Sequence, residues 1–477
     1  MRRTKIIATF GPAVDTPDKL GQLIEAGADV IRLNFSHGSW DEYERQIAMI
    51  REVSLRLGRH VAILGDLQGP KIRIDKFRNA PVQLMPGRRF ALDSSLDPAA
   101  GDETEVGVAY DQLADDVSAG DTMLLDDGNI VLKVDAVAGT RIDCTVTIGG
   151  PLGNNKGINL QGGGLSAPAL TEKDKTDLER VAEFGIDWLA VSFVQSSKDV
   201  KRARRILRKH GSDAHVIAKI ERSEAIDNLM PIIDASDAVM VARGDLGVEM
   251  GYAGLAGIQK SIIRMTRARH KVCITATQMM ESMITSQMPT RAEVSDVANA
   301  VMDGTDAVML SAETAVGDYP VQAVASMAEV CVGAESYHHS TSRMSRHRME
   351  DRFEHVDEAI AMAVMYTANH MEVKAIIAMT ESGATAKWMS RIRSDIPIFA
   401  FTPNESTLCR VALYRGVMPV AYSSQHEHTE PIFRDVCRIL THLSYVEPGD
   451  LVIFTKGTTK GETGGTNEMR ILSVTGQ

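Results

Sequence analysis

DAVMVARGDLGVE, residues Asp237–Glu249, begins as a strand and then breaks its own pattern. Ala238, Val239, Met240 and Val241 form the unbroken apolar run of a parallel strand covered on both faces. Arg243, Gly244 and Asp245 follow at once. A surface turn with an ion pair is the plainer account of those three residues. The sharper account is that a stiff core strand delivers a carboxylate to a ligand site, and the flanking sequence bears on the choice.

Similar apolar runs recur on both sides. TKIIATF (Thr4–Phe10), ADVIRLNF (Ala28–Phe35) and VAILGDL (Val61–Leu67) precede it, with helical segments between them. IDWLAVSF (Ile186–Phe193), HVIAKI (His215–Ile220), VCITATQ (Val272–Gln278) and AVMLSAE (Ala307–Glu313) follow the same rule. Eight βα units with short connections predict an α/β fold, a closed (β/α)8 TIM barrel over residues 1–69 and 166–340. An open doubly wound sheet is disfavoured, because no Gly-rich dinucleotide fingerprint follows the first strand.

The pattern stops for about a hundred residues, too long for a plain loop. KIRIDKF, TMLLDDGNIVLKVDAV and RIDCTVTIGG alternate apolar and polar residues, and DDGN (Asp126–Asn129) signals a hairpin. Residues 70–165 are therefore expected to form a small all-β barrel, a lid hinged at Gly69-Pro70 and Gly162–Gly164. Tyr337–Arg352 is polar and basic, as a linker would be. Beyond it, KAIIAMT, IPIFAFT, MPVAY and DLVIFTKG predict a C-terminal open α/β domain over 353–477. The basic segment Lys198–Gly211 keeps Val200, Ala203, Ile206 and Leu207 on one face and is expected to be an outer barrel helix with a solvated side.

Hydrophobic residues at 44% and charged ones at 24% are ordinary globular values. A net charge of −11 argues against general nucleic-acid binding. The five cysteines are far apart and form no CxxC, which fits reduced thiols and excludes a disulfide framework or zinc site. No window approaches the roughly 20 apolar residues of a membrane span, and the N-terminal run is too short for a signal sequence. A cytoplasmic protein is expected.

Active sites of such barrels lie at the C-terminal strand ends. There the sequence places Arg32, Asn34, Ser36 and His37 after the second strand, and Asp66, Lys71 and Arg73 after the third. Lys219 and Glu221 end the fifth, Arg243 and Asp245 the sixth, Thr275, Thr277 and Gln278 the seventh, Ser311 and Glu313 the eighth. Any one of these fits a rim ion pair; so many on one rim favour a site. Glu221 and Asp245, on adjacent strands, offer hard oxygen ligands for Mg2+ or Mn2+. Lys219 shares the strand face of Glu221 and suits a transferring phosphoryl group or a developing enolate. Arg32 and Arg73 add charge for phosphate oxygens. The amides of Gly244 and Asp245, if they open a helix, cradle a carboxylate. These residues predict a magnesium enzyme acting on a small phosphorylated, carboxylated substrate.

TKIIATFGPA, IRLNFSHG, GPKIR, NNKGINL, AKIERSEAI, VARGDLGVE, ATQMMESM, PTRAEVSDVANAVMDGTDAVMLSAETAVGDYP and LYRGVMPV run through nearly the whole chain. In this order they resemble the pyruvate kinase family. The resemblance implies phosphoryl transfer from phosphoenolpyruvate to ADP, giving pyruvate and ATP, in a homotetramer. It implies a divalent ion on Glu221 and Asp245, and phosphoryl and enolate charge neutralised by Lys219. Arg32 would hold the phosphate, Gly244 and Asp245 would lie on the substrate, and Thr277 would lie on the proton route to the enolate carbon. Asn34, His37, Arg73 and Lys156 would serve the nucleotide, while Arg243, Gln278, Ser311 and Glu313 would stand behind them.

Two positions depart from the family's potassium site, which resembles Asn34, Ser36 and Asp66 plus a threonine, with a glutamate nearby. Leu67 stands at the threonine position and Lys71 at the glutamate position, as in the potassium-independent branch. Lys71 is therefore expected to replace K+ near Asn34, Ser36 and Asp66. In the C-terminal domain, AMTESGATAKW (Ala378–Trp388) is a strand, a small-residue turn and a helix start. Thr380, Ser382, Gly383 and Thr385 would cradle a phosphorylated effector, with Lys456–Arg470 as a loop able to close over them; an N-capped helix start fits the same residues. A magnesium-dependent barrel lyase acting on pyruvate- or oxaloacetate-like acids is the rival activity. Dependence on ADP separates the two.

Overall fold

A computed structural model describes residues 1–36, 38–341, 353–426, 428–458 and 464–475. Eight parallel strands close into a barrel in chain order: Lys5–Thr9, Val30–Asn34, Ala62–Asp66, Trp188–Val191, His215–Ile220, Ala238–Ala242, Val272–Ala276 and Ala307–Leu310. Alternate residues face opposite ways. Ile6, Ile31, Ile63, Val239 and Val308 pack under the surrounding helices. Ile7, Val30, Leu64, Ile217, Met240 and Ile274 fill the interior. The helices start on polar caps: Ser39, Thr171, Ser196 and Thr290 each form a reciprocal box with an acid three residues on. The basic helix Ser197–Lys209 buries Val200, Ala203 and Leu207, as its spacing predicted.

The insertion after the third strand is all-β with its own core, including Ile74, Phe90, Leu92, Leu132 and Val146. It forms a six-stranded sheet and a two-stranded ribbon, not one closed ring. The sheet's outer strands, Ile158–Leu160 and Glu105–Gly107, are linked only through the isolated bridges Arg73–Gly157 and Ile74–Val108. DDGN is a hairpin turn: Leu125 pairs with Ile130, and Asp126, Asp127 and Gly128 have φ of 52°, 56° and 87°. Gly162, Gly163 and Gly164 have φ of 87°, 82° and 108°, a run only glycine adopts readily. A side chain at 163 would also strike Ser223 Oγ.

In the C-terminal sheet, strands Val417–Ala421, Ile398–Thr402, Ala375–Met379 and Leu451–Gly457 are parallel, in that order. A fifth strand, Thr466–Ser473, adds antiparallel to the last. This corrects the expectation of a loop over Lys456–Arg470: its described end is ladder, and residues 459–463 lie outside the described set. The helix Pro320–Thr341 likewise runs through the start of the expected linker, whose remainder, 342–352, is also outside the described residues. All five cysteines are buried and free. Among the described residues no helix is long and apolar enough to cross a membrane.

Candidate active site

The fifth strand brings Lys219 to the rim among acids. Its ammonium lies 2.9 Å from Glu221 Oε1 and 3.3 Å from Asp66 Oδ1, and donates to Ser192 Oγ at 2.8 Å. Burial alone would lower the Lys219 pKa, but Asp66 and Glu221 outweigh it and hold the ammonium above the usual lysine range. Asp66 also accepts Arg32 Nε at 2.7 Å, and Arg32 Nη1 donates to Thr9 Oγ1 at 3.1 Å. Burial acts to raise Asp66, yet Lys219 and Arg32 keep it below the ordinary carboxylate range.

Glu221 is 2% exposed and its Oε2 accepts the Phe193 amide at 2.7 Å. Burial raises its pKa, Lys219 opposes this, and the negative charge of Asp245 raises it further. Glu221, paired with Lys219, and Asp245, paired with Lys71, repel each other and form an oxygen donor set that a divalent cation would relieve. Among the described residues no group of three or more His, Cys, Asp or Glu could hold a metal, so these two would share theirs with water and substrate oxygens.

The sixth strand ends at Ala242, and a helix, Arg243–Met250, starts without a turn between them. Arg243 is buried; it donates to Thr277 O at 2.7 Å and Gln278 O at 3.1 Å and pairs with Asp296 at 2.6 Å. The Gly244 amide donates to Thr277 Oγ1 at 2.8 Å, so it is committed within the chain instead of lying open as an anion cradle. Thr277 and Gln278 have φ of 68° and 51°, a strained turn that exposes the threonine hydroxyl to the sixth-strand end. Glu313 accepts the amides of Ser311 at 2.7 Å and Met280 at 3.2 Å, bracing the eighth strand end against the seventh. Thr275 is wholly buried and bonds Thr305 at 3.0 Å, away from the rim.

Lys71 does not join Asn34, Ser36 and Asp66 by any hydrogen bond or ion pair among the described residues. Its ammonium is 3.0 Å from Asp245 Oδ1 and 3.8 Å from Asp127 Oδ1 of the inserted hairpin. The Asp66 carboxylate is already engaged by Lys219 and Arg32, and the Asn34 side-chain oxygen accepts the Ser36 amide at 3.2 Å. Lys156 pairs with Asp126 at 2.8 Å in the same hairpin, and Arg73 donates to Asn155 O at 2.9 Å. His37 lies outside the described residues. Ser192 and Phe193, at the fourth strand end, are the members that sequence reasoning missed; a polar residue straight after the core run WLAV was the available signal.

In the C-terminal domain the Gly383 amide donates to Thr380 Oγ1 at 2.9 Å, and Gly383, at φ 82°, precedes the helix Ala384–Ser390. That helix has no side-chain cap. Thr385 is buried and shares a hydrogen bond of 2.6 Å with Thr466, so its hydroxyl is occupied by the last strand.

The family model described as the pyruvate kinase barrel domain matches residues 1–324, and that of the pyruvate kinase alpha/beta domain matches 358–472. The chain belongs to the pyruvate kinase family. It is 54% identical to pyruvate kinase II of Salmonella typhimurium over 478 residues, with 99% of each covered. It is 50% identical to a pyruvate kinase of Haemophilus influenzae, again over 99% of each. The crystal structure of a pyruvate kinase from Cryptosporidium parvum matches with a TM-score of 0.90 at 34% identity, covering 99% of this chain and 96% of that one. The barrel, the all-β insertion and the separate α/β sheet are thus a pyruvate kinase architecture.

Proposed function

We propose that this chain transfers the phosphoryl group of phosphoenolpyruvate to ADP, giving pyruvate and ATP. The observation that carries the reading is Lys219, a buried ammonium held by Asp66, Glu221 and Ser192 at the rim of a pyruvate kinase barrel. Glu221 and Asp245 hold the divalent ion, Mg2+ or Mn2+, which when bound supplies positive charge to phosphoryl and enolate oxygens. Arg32 binds the phosphate. Lys219 neutralises the phosphoryl oxygens in transfer and then the enolate oxygen. Thr277, fixed by Gly244, lies on the route of the proton to the enolate carbon. Asn34, His37, Arg73 and Lys156 serve the nucleotide.

The catalytic unit is residues 1–69 with 166–340, residues 70–165 are its lid, and 353–477 is a regulatory domain whose Thr380–Gly383 turn takes a phosphorylated effector. Lys71 supplies at Asp245 the fixed charge that K+ supplies elsewhere, so the enzyme runs without K+. A cytoplasmic homotetramer is the expected form. A coupled pyruvate assay with Mg2+ tests this: pyruvate should form from phosphoenolpyruvate only with ADP, and Lys219→Met should lower kcat by about 10²-fold or more. ADP-independent turnover would favour a lyase. Strong stimulation by K+ at fixed ionic strength would remove the role given to Lys71.

A further inference from the structure

The glycines at the return of the inserted domain, read in the sequence as a hinge, have all three amides bonded. Gly162 donates to Glu249 O at 3.0 Å, Gly163 to Leu160 O at 3.0 Å and Gly164 to Glu224 Oε1 at 2.6 Å. The Ser223 hydroxyl donates to Gly162 O at 2.9 Å. Just beyond, Arg222 Nη1 donates to Leu165 O at 2.9 Å and Gln195 Nε2 to Ala167 O at 3.1 Å. Of these bonds only that of Gly163 stays inside the insertion. The others join the barrel, mainly the turn 222–224 that directly follows Glu221. A side-chain carbon at 163 would lie 1.9 Å from Ser223 Oγ and 3.0 Å from Glu224 Oε1, so strap and turn are in direct contact.

The insertion holds the same strap from the other side. Leu165 and Ala167 pack into its core. Its Asp116 accepts the Ser166 amide at 2.8 Å and the Tyr110 hydroxyl at 2.9 Å. A swing of the insertion as one body carries residues 165–167 with it, so the bonds from the turn must break or be remade. In the present arrangement the insertion reaches the rim: Lys71 is 3.0 Å from Asp245 Oδ1, and the Tyr252 hydroxyl donates to Asp127 O at 3.4 Å. Glu224 stands apart among the strap's partners, because a carboxylate accepting a backbone amide makes one of the stronger hydrogen bonds. We infer that Glu224 is a positioning residue: its bond to the Gly164 amide latches the strap to the turn behind Glu221 and fixes the angle of the insertion over the rim. This rests on the lid role and the reaction proposed above. Lys156, assigned to the nucleotide, travels with the insertion, whereas Arg32 and Lys219, assigned to phosphoenolpyruvate, belong to the barrel. Loss of the latch therefore weakens the nucleotide site and spares the other.

The test places nitroxide labels on the full chain at Ala136→Cys in the insertion and Lys209→Cys on the barrel, both exposed, while the native cysteines are buried. Without substrates or metal, the label-to-label distances from pulsed electron resonance should broaden in Glu224→Ala. Glu224→Gln keeps an oxygen acceptor and should stay near the parent. Melting temperatures of the three chains should agree within about 2 °C. In kinetics, Glu224→Ala should raise the KM for ADP by about 3-fold or more. Its kcat and its KM for phosphoenolpyruvate should stay within about twofold of the parent, and Glu224→Gln should recover most of the loss. The distance measurement needs no turnover, so it tests the latch even where the proposed reaction fails. Broadened distances with unchanged kinetics would support the latch and remove Lys156 from the nucleotide. A parent-like distribution in folded Glu224→Ala, equal broadening in both variants, or an equal rise in both KM values would overturn the inference. So would hydrogen exchange in the unmodified chain that shows the Gly164 amide unprotected.

Discussion

Arg243 leaves a core strand and spends its guanidinium on the backbone of the next one, bonding the carbonyls of Thr277 and Gln278. Both residues sit at positive φ, a conformation a β-branched threonine holds only when its surroundings enforce it. Arg243→Gln should therefore lower stability by about 3 kcal/mol and lower kcat at unchanged protein concentration, since Thr277 relaxes away from Gly244. Arg243→Lys keeps the charge but not the fork, and should restore stability more than kcat. Urea midpoints and steady-state kinetics on both variants check this; full kcat in folded Arg243→Gln would remove the positioning role. The sequence located Arg243 behind Asp245, because charges directly after a core strand are conspicuous. It did not show that the target is carbonyl oxygen, which leaves no trace in residue identity. The same blindness hid the partners of Lys71: Asp127 sits in a hairpin whose position over the rim depends on the packing of a whole inserted sheet. Lys71→Gln frees Asp245 and removes a contact to that hairpin, so the apparent affinity for the divalent ion should change while folding stays intact. Titrating Mn2+ by electron paramagnetic resonance, without substrates, would show it; identical binding curves would mean Lys71 does not tune Asp245.

The fifth strand, His215–Ile220, carries a second consequence at its other end. Its period of two puts His215, Ile217 and Lys219 on one face, and Glu221 continues that face just past the strand end. His215 packs edge-on against Trp188, with ring centroids 5.0 Å apart. Burial pushes its pKa down to about 4, with Asp237 opposing. A base with a depressed folded pKa contributes stability that is fully present above its unfolded value, near 6.5, and is lost as pH falls toward 4. Between pH 7 and pH 5 the loss from this one group is about 2 kcal/mol. His215→Gln should flatten the pH dependence of the melting temperature in that window, and a slope unchanged from the parent would assign acid lability elsewhere. HVIAKI was legible as a strand to the residue, since both of its faces are covered. The edge strand Thr466–Ser473 was not, because its antiparallel, half-exposed position permits the polar sequence TNEMRILS.

Across the whole molecule, the barrel interior does not end at the barrel. Ile7, Leu64, Trp188 and Ile217 belong to the same packed cluster as Met365, Met389, Val411, Tyr414 and Val417 of the C-terminal domain. Trp188 meets Tyr414 edge-on, with centroids 6.2 Å apart, which plugs the N-terminal end of the barrel with a side chain from the next domain. The inserted domain has a core of its own. Composition and periodicity divided the chain into three units, but could not show which cores are shared, because that depends on residues far apart in sequence meeting through the fold. The expected outcome is two cooperative units, not three: barrel with C-terminal domain, and insertion alone. Tyr414→Ala should cost about 3–5 kcal/mol, and the cost should register in both parts of the shared core. Hydrogen exchange resolves this. Amides of Trp188–Val191 in the barrel and Ala375–Met379 in the C-terminal sheet should lose protection together, while Ile130–Ile148 in the insertion keeps its own. Loss confined to the C-terminal sheet would mean that the barrel closes its own floor without Tyr414.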